Sequence, residues 1–316
     1  MIAGDGSTLN LVGSKKIKEH FGVQSTTKDG LQRTSANVFF LHDVLNDFII
    51  DYQLTNRNQG EVTLMKNALA RLSKDAKRVI ILDRLYGNYC HINPVAASGN
   101  KFCIRLNSCS GFAQSILKQK ETDITCDWVP SAKAKENARK AGLEVKPIKV
   151  RILKIRLKSG ETEILATNLF DQTRYTYDDF KWLYHKRWSV EECFKNLKAK
   201  MKIEHFSSRL PEGIYQEFYA HIFCMNLVSL VGRCAQNIIE VKTGNRRLKY
   251  KYNWSNAYKF LRRKMGSFLS LKRINRLIDE LVWQISSSIV PIKPGRAFIR
   301  DNRNRKKSIH RGPYYK

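Results

Sequence analysis

Apolar side chains in the first hundred residues follow two periods, one typical of strands and one typical of a helix. Residues 36–43 and 48–54 are rich in aromatic and β-branched side chains and lie close together, which predicts two paired strands. Residues 61–73 carry apolar side chains every three or four positions, which predicts a helix. The apolar run 79–82 predicts a strand buried on both faces. With an extended segment at the start, the predicted order is three strands, a helix and a strand.

The pattern changes to short strand-like pieces between residues 101 and 166. Basic and apolar side chains alternate over 150–157, and a turn at 159–161 separates them from the apolar stretch 163–167. This alternation predicts an inserted sheet with a basic outer face.

Helical patterns dominate the rest of the chain. An Asp pair at 178–179 can cap a helix that continues toward residue 201, and residues 212–240 and 254–290 are also predicted to be helical. The most apolar stretch, 218–231, is shorter than the roughly 20 residues of a membrane span. We therefore predict a buried helix there and no membrane partner.

The chain carries a large excess of positive charge. Its 316 residues include 57 Lys and Arg against 28 Asp and Glu, a formal net charge of +29, and 42% of the residues are hydrophobic. A sizeable core is expected, which excludes disorder over most of the chain. Such a charge is best tolerated where a polyanion neutralises it, so nucleic acid is the expected partner. Association with the ribosome, or a merely basic enzyme, would also explain the composition.

The positive charge lies mostly in the later part of the chain. Residues 1–100 contain 12 basic and 9 acidic side chains, so nearly all of the excess follows them. Residues 292–316 contain nine basic side chains and a single acid, which predicts a basic tail that contacts phosphates. The polyanion is therefore expected to bind mainly to the later residues.

The cysteines and the N-terminus favour a cytoplasmic protein. The seven cysteines form no C-x-x-C pair, and no His pair lies near them at zinc-ligand spacing. Reduced, packed thiols are the expected state. Residues 1–10 have neither a basic nor an apolar region of the kind found in signal peptides.

One face of the helix predicted over 178–201 would present four chemically complementary groups. At 100° per residue, one narrow stripe contains Tyr184, Arg187, Glu191 and Lys198. A capping box formed by Ser189 and Glu192 would start a new helix there and would weaken this argument for the first two residues. On spacing alone, Arg187 and Glu191 also match an ordinary surface ion pair.

These four positions form the spacing Tyr-x2-Arg-x3-Glu-x6-Lys, which resembles the signature of the insertion-sequence-4 family of DDE transposases. Residues 183–198 look like the third catalytic block of that family. Residues 83–87 resemble its second block, although Leu85 stands where Gly is usual, and residues 5–8 resemble its first block. The resemblance covers nearly the whole chain.

The resemblance implies an α/β fold with a ribonuclease H-like mixed sheet and helices. A mostly β insertion would interrupt this core, and a helical C-terminal part would follow it. The implied segments are a first half of the catalytic core at 1–98, the insertion at 99–166, and a second half carrying the Glu helix at 167–240. A helical region with the basic tail would occupy 241–316.

The resemblance also implies that Asp5, Asp83 and Glu191 are the catalytic residues and hold two Mg²⁺ ions, with Mn²⁺ able to substitute. Carboxylate oxygens suit these hard cations better than His or Cys ligands do. The neighbouring Glu192 is a rival, but the family spacing selects Glu191. Taken alone, Asp5 is also explained as a turn residue, and Asp83 as the cap of a loop in which Arg84 pairs with it.

The DNA contacts that the resemblance implies come from basic and aromatic side chains, namely Tyr184, Arg187, Lys198, Arg84 and Arg296. An arginine suits bidentate phosphate binding, whereas a lysine acts as a point charge. Trp188 and Phe194 are expected to be core residues.

The predicted function is a DNA transposase that cleaves phosphodiester bonds and transfers strands at insertion-sequence ends by a cut-and-paste route. Double-stranded transposon ends and target DNA would be its partners, bound by a homodimer in the bacterial cytoplasm. One alternative is a catalytically inactive DNA-binding relic, and another is a different ribonuclease H-like nuclease. Only four residues precede Asp5. Because members of that family normally carry a substantial region ahead of the first Asp, the resemblance implies a 5′-truncated copy or a late start, with little strand left to pair.

Overall fold

The structure is a computed structural model that describes residues 1–26, 30, 32–73, 77–157, 160–270 and 273–293. Two sequence predictions lie outside these residues, namely Arg296 with the tail beyond residue 293, and the first position of the turn at 159–161. The chain divides into two compact units. Unit 1 consists of residues 1–9 and 35–194, and unit 2 consists of residues 10–34 and 195–316.

The strands, in chain order, are β1 (Ile2–Leu11), β2 (Val23–Thr26), β3 (Gln32–Asp43), β4 (Phe48–Thr55), β5 (Val79–Leu82), β6 (Lys101–Arg105), β7 (Asp123–Trp128), β8 (Ile148–Arg156), β9 (Thr162–Thr167), β10 (Tyr250–Tyr252) and β11 (Ile289–Pro291). The α-helices are α1 (Lys15–Phe21), α2 (Glu61–Arg71), α3 (Tyr89–Ala97), α4 (Gly111–Leu117), α5 (Ala132–Lys140), α6 (Tyr177–His185), α7 (Trp188–Lys195), α8 (Pro211–Thr243), α9 (Trp254–Leu269) and α10 (Ile274–Ser287). A short 3-10 turn, Arg84–Tyr86, follows β5, and a π-helix, Asn196–Lys200, follows α7.

Unit 1 is built on one mixed sheet in which the strand order is β3-β1-β5-β6-β9-β8-β7 and β4 also pairs with β3. β5 is parallel to β1 and β6, whereas the pairs β3–β4, β6–β9, β9–β8 and β8–β7 are antiparallel. The predicted fold class, α/β with a mixed sheet and helices, is confirmed. β6 to β9 continue this sheet, and α4 and α5 lie between them in the chain.

β5 is buried on both faces, as its apolar run predicts. Ile80 and Leu82 join a cluster that contains Leu64 of α2 and side chains of α3. Ile81 joins another cluster, which contains Phe180 of α6. Because successive side chains of a strand point to opposite faces, α2 and α3 pack on one face of the sheet and α6 packs on the other.

Two further patterns of the first hundred residues are confirmed by the structure. β3 and β4 form an antiparallel pair that extends from Asn37 opposite Thr55 to Asp43 opposite Phe48. α2 begins at Glu61 and buries four apolar side chains, Leu64, Met65, Ala68 and Leu69. Both elements form from local periodicity that burial then reinforces.

A buried arginine fixes the approach to α6. The side chain of Arg151 on β8 is only 1% exposed and forms an ion pair with Asp123, with 2.6 Å between Nη2 and Oδ2. It also donates to the carbonyl oxygens of Leu169 and Tyr175, and its guanidinium lies over the ring of Phe180. These contacts tie the β7–β8 edge of the sheet to the segment that leads into α6.

Unit 2 is largely helical. α8 packs with α9 and α10, β10 pairs with β11, and β2 pairs with the first residues of β3. α8 is long and apolar enough to cross a membrane by length and composition, although such a helix is also common in protein cores. Its buried side chains recur along the helix, which agrees with the predicted buried helix. The stretch 254–290, predicted to be helical, forms the two helices α9 and α10.

We expect Gly87→Ala to destabilise unit 1. A Cβ atom at this position would lie 2.1 Å from the carbonyl oxygen of Arg105 and 2.8 Å from the Cα of Leu106, so the turn after β5 would be pushed away from β6. Overpacking of this kind typically costs about 1–3 kcal/mol. The thermal unfolding midpoint should fall. Gly111→Ala is the matched control because open space surrounds Gly111, and a Gly87→Ala protein as stable as this control would contradict the close approach.

Candidate active site

Asp5 and Asp83 lie side by side in the middle of the sheet of unit 1. β1 and β5 run parallel with Ala3 opposite Ile81. Asp5 lies two positions beyond Ala3 in β1, and Asp83 directly follows the end of β5, two positions beyond Ile81. The charge of Asp83 contributes to the raised pKa of Asp5, so the two carboxylates lie near each other. The structure therefore brings together two of the three residues predicted to be catalytic.

The structure corrects two expectations about Asp5. β1 extends from Ile2 to Leu11, so Asp5 lies within a strand of ten residues, and the expected short strand is wrong. The interpretation of Asp5 as a turn residue is also wrong because the strand continues through it. The carboxylate oxygen Oδ1 of Asp5 instead accepts a hydrogen bond from the backbone N–H of Gly6 at 3.0 Å.

The carboxyl group of Asp5 lies in a strongly negative environment. Burial raises its pKa from 3.8 to about 7, and the charges of Glu61 and Asp83 contribute to the rise. Arg187 and the N–H of Gly6 act in the opposite direction. Near neutral pH, Asp5 would therefore be about half protonated unless another positive charge approached it.

Glu61 is a further member of the site that the sequence patterns did not reveal. Its Oε1 atom accepts the N–H of Gly6 at 3.1 Å and the hydroxyl of Tyr86 at 2.5 Å. Burial raises the pKa of Glu61, the hydrogen bond from Tyr86 lowers it, and Asp83 raises it further. The only sequence signal was an acid at the start of the helix between the two aspartate strands, which the helix dipole also explains.

Asp83 has a structural task as well as a place in the cluster. Its Oδ1 atom accepts the N–H of Leu85 at 2.7 Å and thereby caps the 3-10 turn that follows β5. The interpretation of Asp83 as a loop cap is thus confirmed, and it is compatible with a role in the site. Arg84, a predicted DNA contact, lies exposed in this turn.

The third motif does not form one continuous helix. α6 is capped by Thr176, whose hydroxyl and N–H both contact the Asp179 carboxylate, and the helix ends at His185. α7 begins at Trp188. The prediction of one helix that continues toward residue 201 is therefore wrong, because the helix is interrupted between α6 and α7. The alternative was a new helix that starts near Ser189. α7 is such a helix, and it begins one residue earlier, at Trp188.

The break leaves the ion pair of the motif intact. Nη2 of Arg187 donates to Oε1 of Glu191 at 2.8 Å. Arg187 is buried while Glu191 is 36% exposed, so this is not the ordinary surface pair considered from the spacing. Burial opposes the charge of Arg187, but Tyr184, Glu191 and Asp5 together raise its pKa above the usual value. Arg187 thus connects Glu191 electrostatically with Asp5.

The rings of Tyr184 and Trp188 lie on either side of Arg187 along the chain. The guanidinium carbon of Arg187 is 5.7 Å from the ring centre of Tyr184 and 5.1 Å from that of Trp188. Tyr184 is buried, and burial raises the pKa of its phenol. Trp188 is 40% exposed, so its expected core position is wrong. Phe194 is buried, as expected, and its ring stacks on that of Phe40.

Lys198 is half-buried in the π-helix, in unit 2, and Glu192 is exposed on α7. Arg296 lies outside the described residues.

The donor set around Asp5 has the chemistry that suits a divalent cation. The side chains of Asp5 and Asp83 offer only oxygen donors, and a cation would offset the negative charge that, together with burial, raises the pKa of Asp5. In the described part of the chain, no three His, Cys, Asp or Glu side chains already stand at metal-ligand spacing.

Comparison with known proteins gives one family match. The family model "Transposase DDE domain" matches residues 2–227. Among solved structures, a piggyBac transposase in a synaptic complex with hairpin DNA is similar, with 12% sequence identity and a TM-score of 0.49. The match covers 94% of this chain but only 59% of that transposase. No curated protein matches the chain.

We expect Asp5→Asn to change how stability depends on pH. The folded chain keeps the Asp5 proton up to a pH of about 7, whereas the unfolded chain loses it near 3.8, so Asp5 destabilises the fold increasingly as pH rises between these values. Asn cannot ionise. Relative to the original protein, the variant should gain up to about 4 kcal/mol between pH 4 and pH 8.

Denaturant unfolding in the presence of EDTA would measure this gain. Asp127→Asn is the matched control because Asp127 is an exposed carboxylate of the same unit. A gain that stayed constant across the pH range, or that equalled the control, would contradict the raised pKa.

Proposed function

The chain belongs to the family of transposases with a DDE domain, and we propose that unit 1 is its catalytic core, which cleaves and joins phosphodiester bonds of DNA with divalent metal ions. The observation that carries this proposal is the closeness of Asp5, on β1, to Asp83, which directly follows the parallel strand β5: burial, and then the charges of Glu61 and Asp83, raise the pKa of Asp5. We further propose the cut-and-paste route at insertion-sequence ends and the insertion-sequence-4 type of the family, on the motif spacing.

We propose that Asp5, Asp83 and Glu191 hold two Mg²⁺ ions, which Mn²⁺ can replace. Bound ions of this kind activate a water or a 3′-hydroxyl and stabilise the leaving oxygen. The protein supplies the oxygen donors and fixes where they lie, since Asp83 caps its turn and Asp5 is held in β1. Glu191 would exchange part of its ion pair with Arg187 for the metal.

Arg187 is the side chain best placed to bind a phosphate. Its Nε atom is buried and has no hydrogen-bond partner among the residues that the structure describes. A buried polar atom without a partner costs about 1–3 kcal/mol, which a phosphate oxygen would recover through a charge-assisted hydrogen bond. Tyr184, buried beneath the guanidinium, would hold it in this orientation.

The other proposed DNA contacts follow from charge. Lys198, Arg84 and Arg296 would bind phosphates of the transposon end or the target, together with the basic residues beyond position 100 that carry most of the net charge of +29. A homodimer would hold two double-stranded ends. The four segments implied by the family resemblance are retained as a proposal for the domain organisation.

A DNA-binding relic without activity is the second candidate. It is favoured by the absence, in the described stretches, of three potential ligands already at metal spacing. A relic would bind DNA in a salt-sensitive way but would not cleave it, so metal binding and cleavage separate the two functions. A different ribonuclease H-like nuclease would cleave but would give no strand transfer.

We expect Asp83→Asn to abolish metal-dependent cleavage. Asn keeps the oxygen that accepts the N–H of Leu85, so the turn should survive, but it loses the charge that binds metal. Cleavage of a plasmid carrying the DNA that flanks the reading frame should fall about 100-fold or more in Mg²⁺. Electron paramagnetic resonance of Mn²⁺ should show weaker binding. Asp127→Asn is the control and should behave like the original protein.

If the original protein bound DNA but neither bound Mn²⁺ nor cut the plasmid, the relic would be the correct function. Cleavage that was equal in the Asp83→Asn variant would contradict the assigned site.

We expect Arg187→Lys to weaken cleavage although it preserves the charge. A lysine lacks the second edge of the guanidinium and cannot bond Glu191 and a phosphate in the same fixed geometry. The loss should be about tenfold, which corresponds to one charge-assisted hydrogen bond. Arg174→Lys is the matched control, since Arg174 also lies over a tyrosine ring but is exposed. Equal rates for the two variants would contradict the proposed role of Arg187.

A further inference from the structure

Glu61 is the first residue of α2, but its side chain contacts β1, which lies far from it in the sequence. The helix follows Gly60, which has no side chain to cap it. A carboxylate in the first turn usually stabilises the N-terminus of its own helix. The Glu61 carboxylate instead accepts the backbone N–H of Gly6, which lies 55 positions earlier in the chain.

The N–H of Gly6 links two carboxylates. It donates both to Oδ1 of Asp5 at 3.0 Å and to Oε1 of Glu61 at 3.1 Å. The position of Asp5 relative to α2 is therefore set through one backbone group. Because one donor serves both oxygens, the shared N–H holds the two carboxyl groups next to each other.

Tyr86 connects the same oxygen of Glu61 to the other aspartate. Its hydroxyl donates to Oε1 at 2.5 Å, and its ring is fully buried. Tyr86 ends the 3-10 turn that Asp83 caps. One carboxylate oxygen thus accepts two donors, one from the strand of Asp5 and one from the turn of Asp83.

The glycine at position 6 of β1 leaves room for the Glu61 side chain. A Cβ atom on Gly6 would lie 2.3 Å from Cδ of Glu61 and 2.8 Å from its Oε1, so no larger residue leaves room for the carboxylate. Gly6 is not among the glycines with positive φ, so backbone strain does not explain a glycine there. Close approach of Glu61 does.

The placement of Glu61 has an electrostatic cost that the fold alone does not require. Its charge lies close to those of Asp5 and Asp83, and like charges that are half-buried destabilise one another. The two hydrogen bonds offset part of this cost. A neutral acceptor would make the same bonds with less repulsion, so the feature that the site uses is the acceptor oxygen and its position.

We propose that Glu61 is a positioning residue for the reaction, whose Oε1 atom fastens the strand of Asp5 to the turn of Asp83 and so fixes the spacing of the two aspartates. This inference rests on the proposed function. It differs from a role as a metal ligand, because a ligand needs the charge and a positioning residue needs only the acceptor.

Three variants of the full chain separate these roles. Glu61→Ala removes the acceptor, Glu61→Gln keeps an amide oxygen in its place without the charge, and Tyr86→Phe removes one of the two donors. Glu212→Ala is the matched control, because Glu212 is an exposed acid in the first turn of another helix. Circular dichroism checks that each variant folds.

Mg²⁺-dependent cleavage and Mn²⁺ affinity should both fall about 10- to 100-fold in Glu61→Ala, the range seen when a partner that orients a metal ligand is lost. Glu61→Gln should stay within about threefold of the original protein. Tyr86→Phe should lie between them, and the double variant Glu61→Ala with Tyr86→Phe should be no worse than Glu61→Ala, because both changes break one connection. The control should be unchanged.

Equal losses in Glu61→Gln and Glu61→Ala would overturn the proposal in favour of a charge or ligand role. An unimpaired Glu61→Ala would overturn it as well. Hydrogen exchange at the Gly6 amide provides a readout without metal or DNA, and it should quicken in Glu61→Ala but not in Glu61→Gln. If the original protein did not cleave DNA, the proposed function would fail, yet this exchange would still support the connection if it quickened and overturn it if it did not.

Discussion

The parallel pairing of β1 with β5 is the constraint on which the site depends. β5 is held between hydrophobic clusters on both faces of the sheet, so its position is fixed by the core. β1 takes its register from β5, and that register makes Asp5 the neighbour of Asp83. Everything else in the site, including Glu61 with its two donors and Arg187 with its buried charge, is arranged around these two carboxylates.

The site holds several carboxylates that repel one another, within a closely packed part of unit 1. Carboxylates from β1, α2 and the turn after β5 repel one another, and Arg187 supplies partial compensation. The structure around it is closely packed, as at the buried Arg151 and at the close approach of Gly87 to β6. Strain of this kind is typical of sites that bind a charged group of opposite sign.

Local sequence patterns predicted the strands and the helix around the site better than the side-chain contacts within it. β3, β4, α2 and β5 were predictable because each has a clear period and short connections. The interruption of the helix before Trp188 was not predictable from the period, because the apolar pattern continues across it. Only tertiary packing decides between one helix and two. Glu61 was missed because its partners, Gly6 and Tyr86, lie 55 and 25 positions away, whereas a local reason for an acid already existed.

The alternation of side chains along β1 also governs which changes the chain can accept during evolution. Between Ala3, where the register with β5 is set, and Asp5 there is a single residue, Gly4. Inserting or deleting one residue in this interval would turn Asp5 to the opposite face of the sheet, because strand side chains alternate with a period of two. Descendants of this gene that keep the aspartate pair should thus vary in the identity of their apolar residues and not in this spacing.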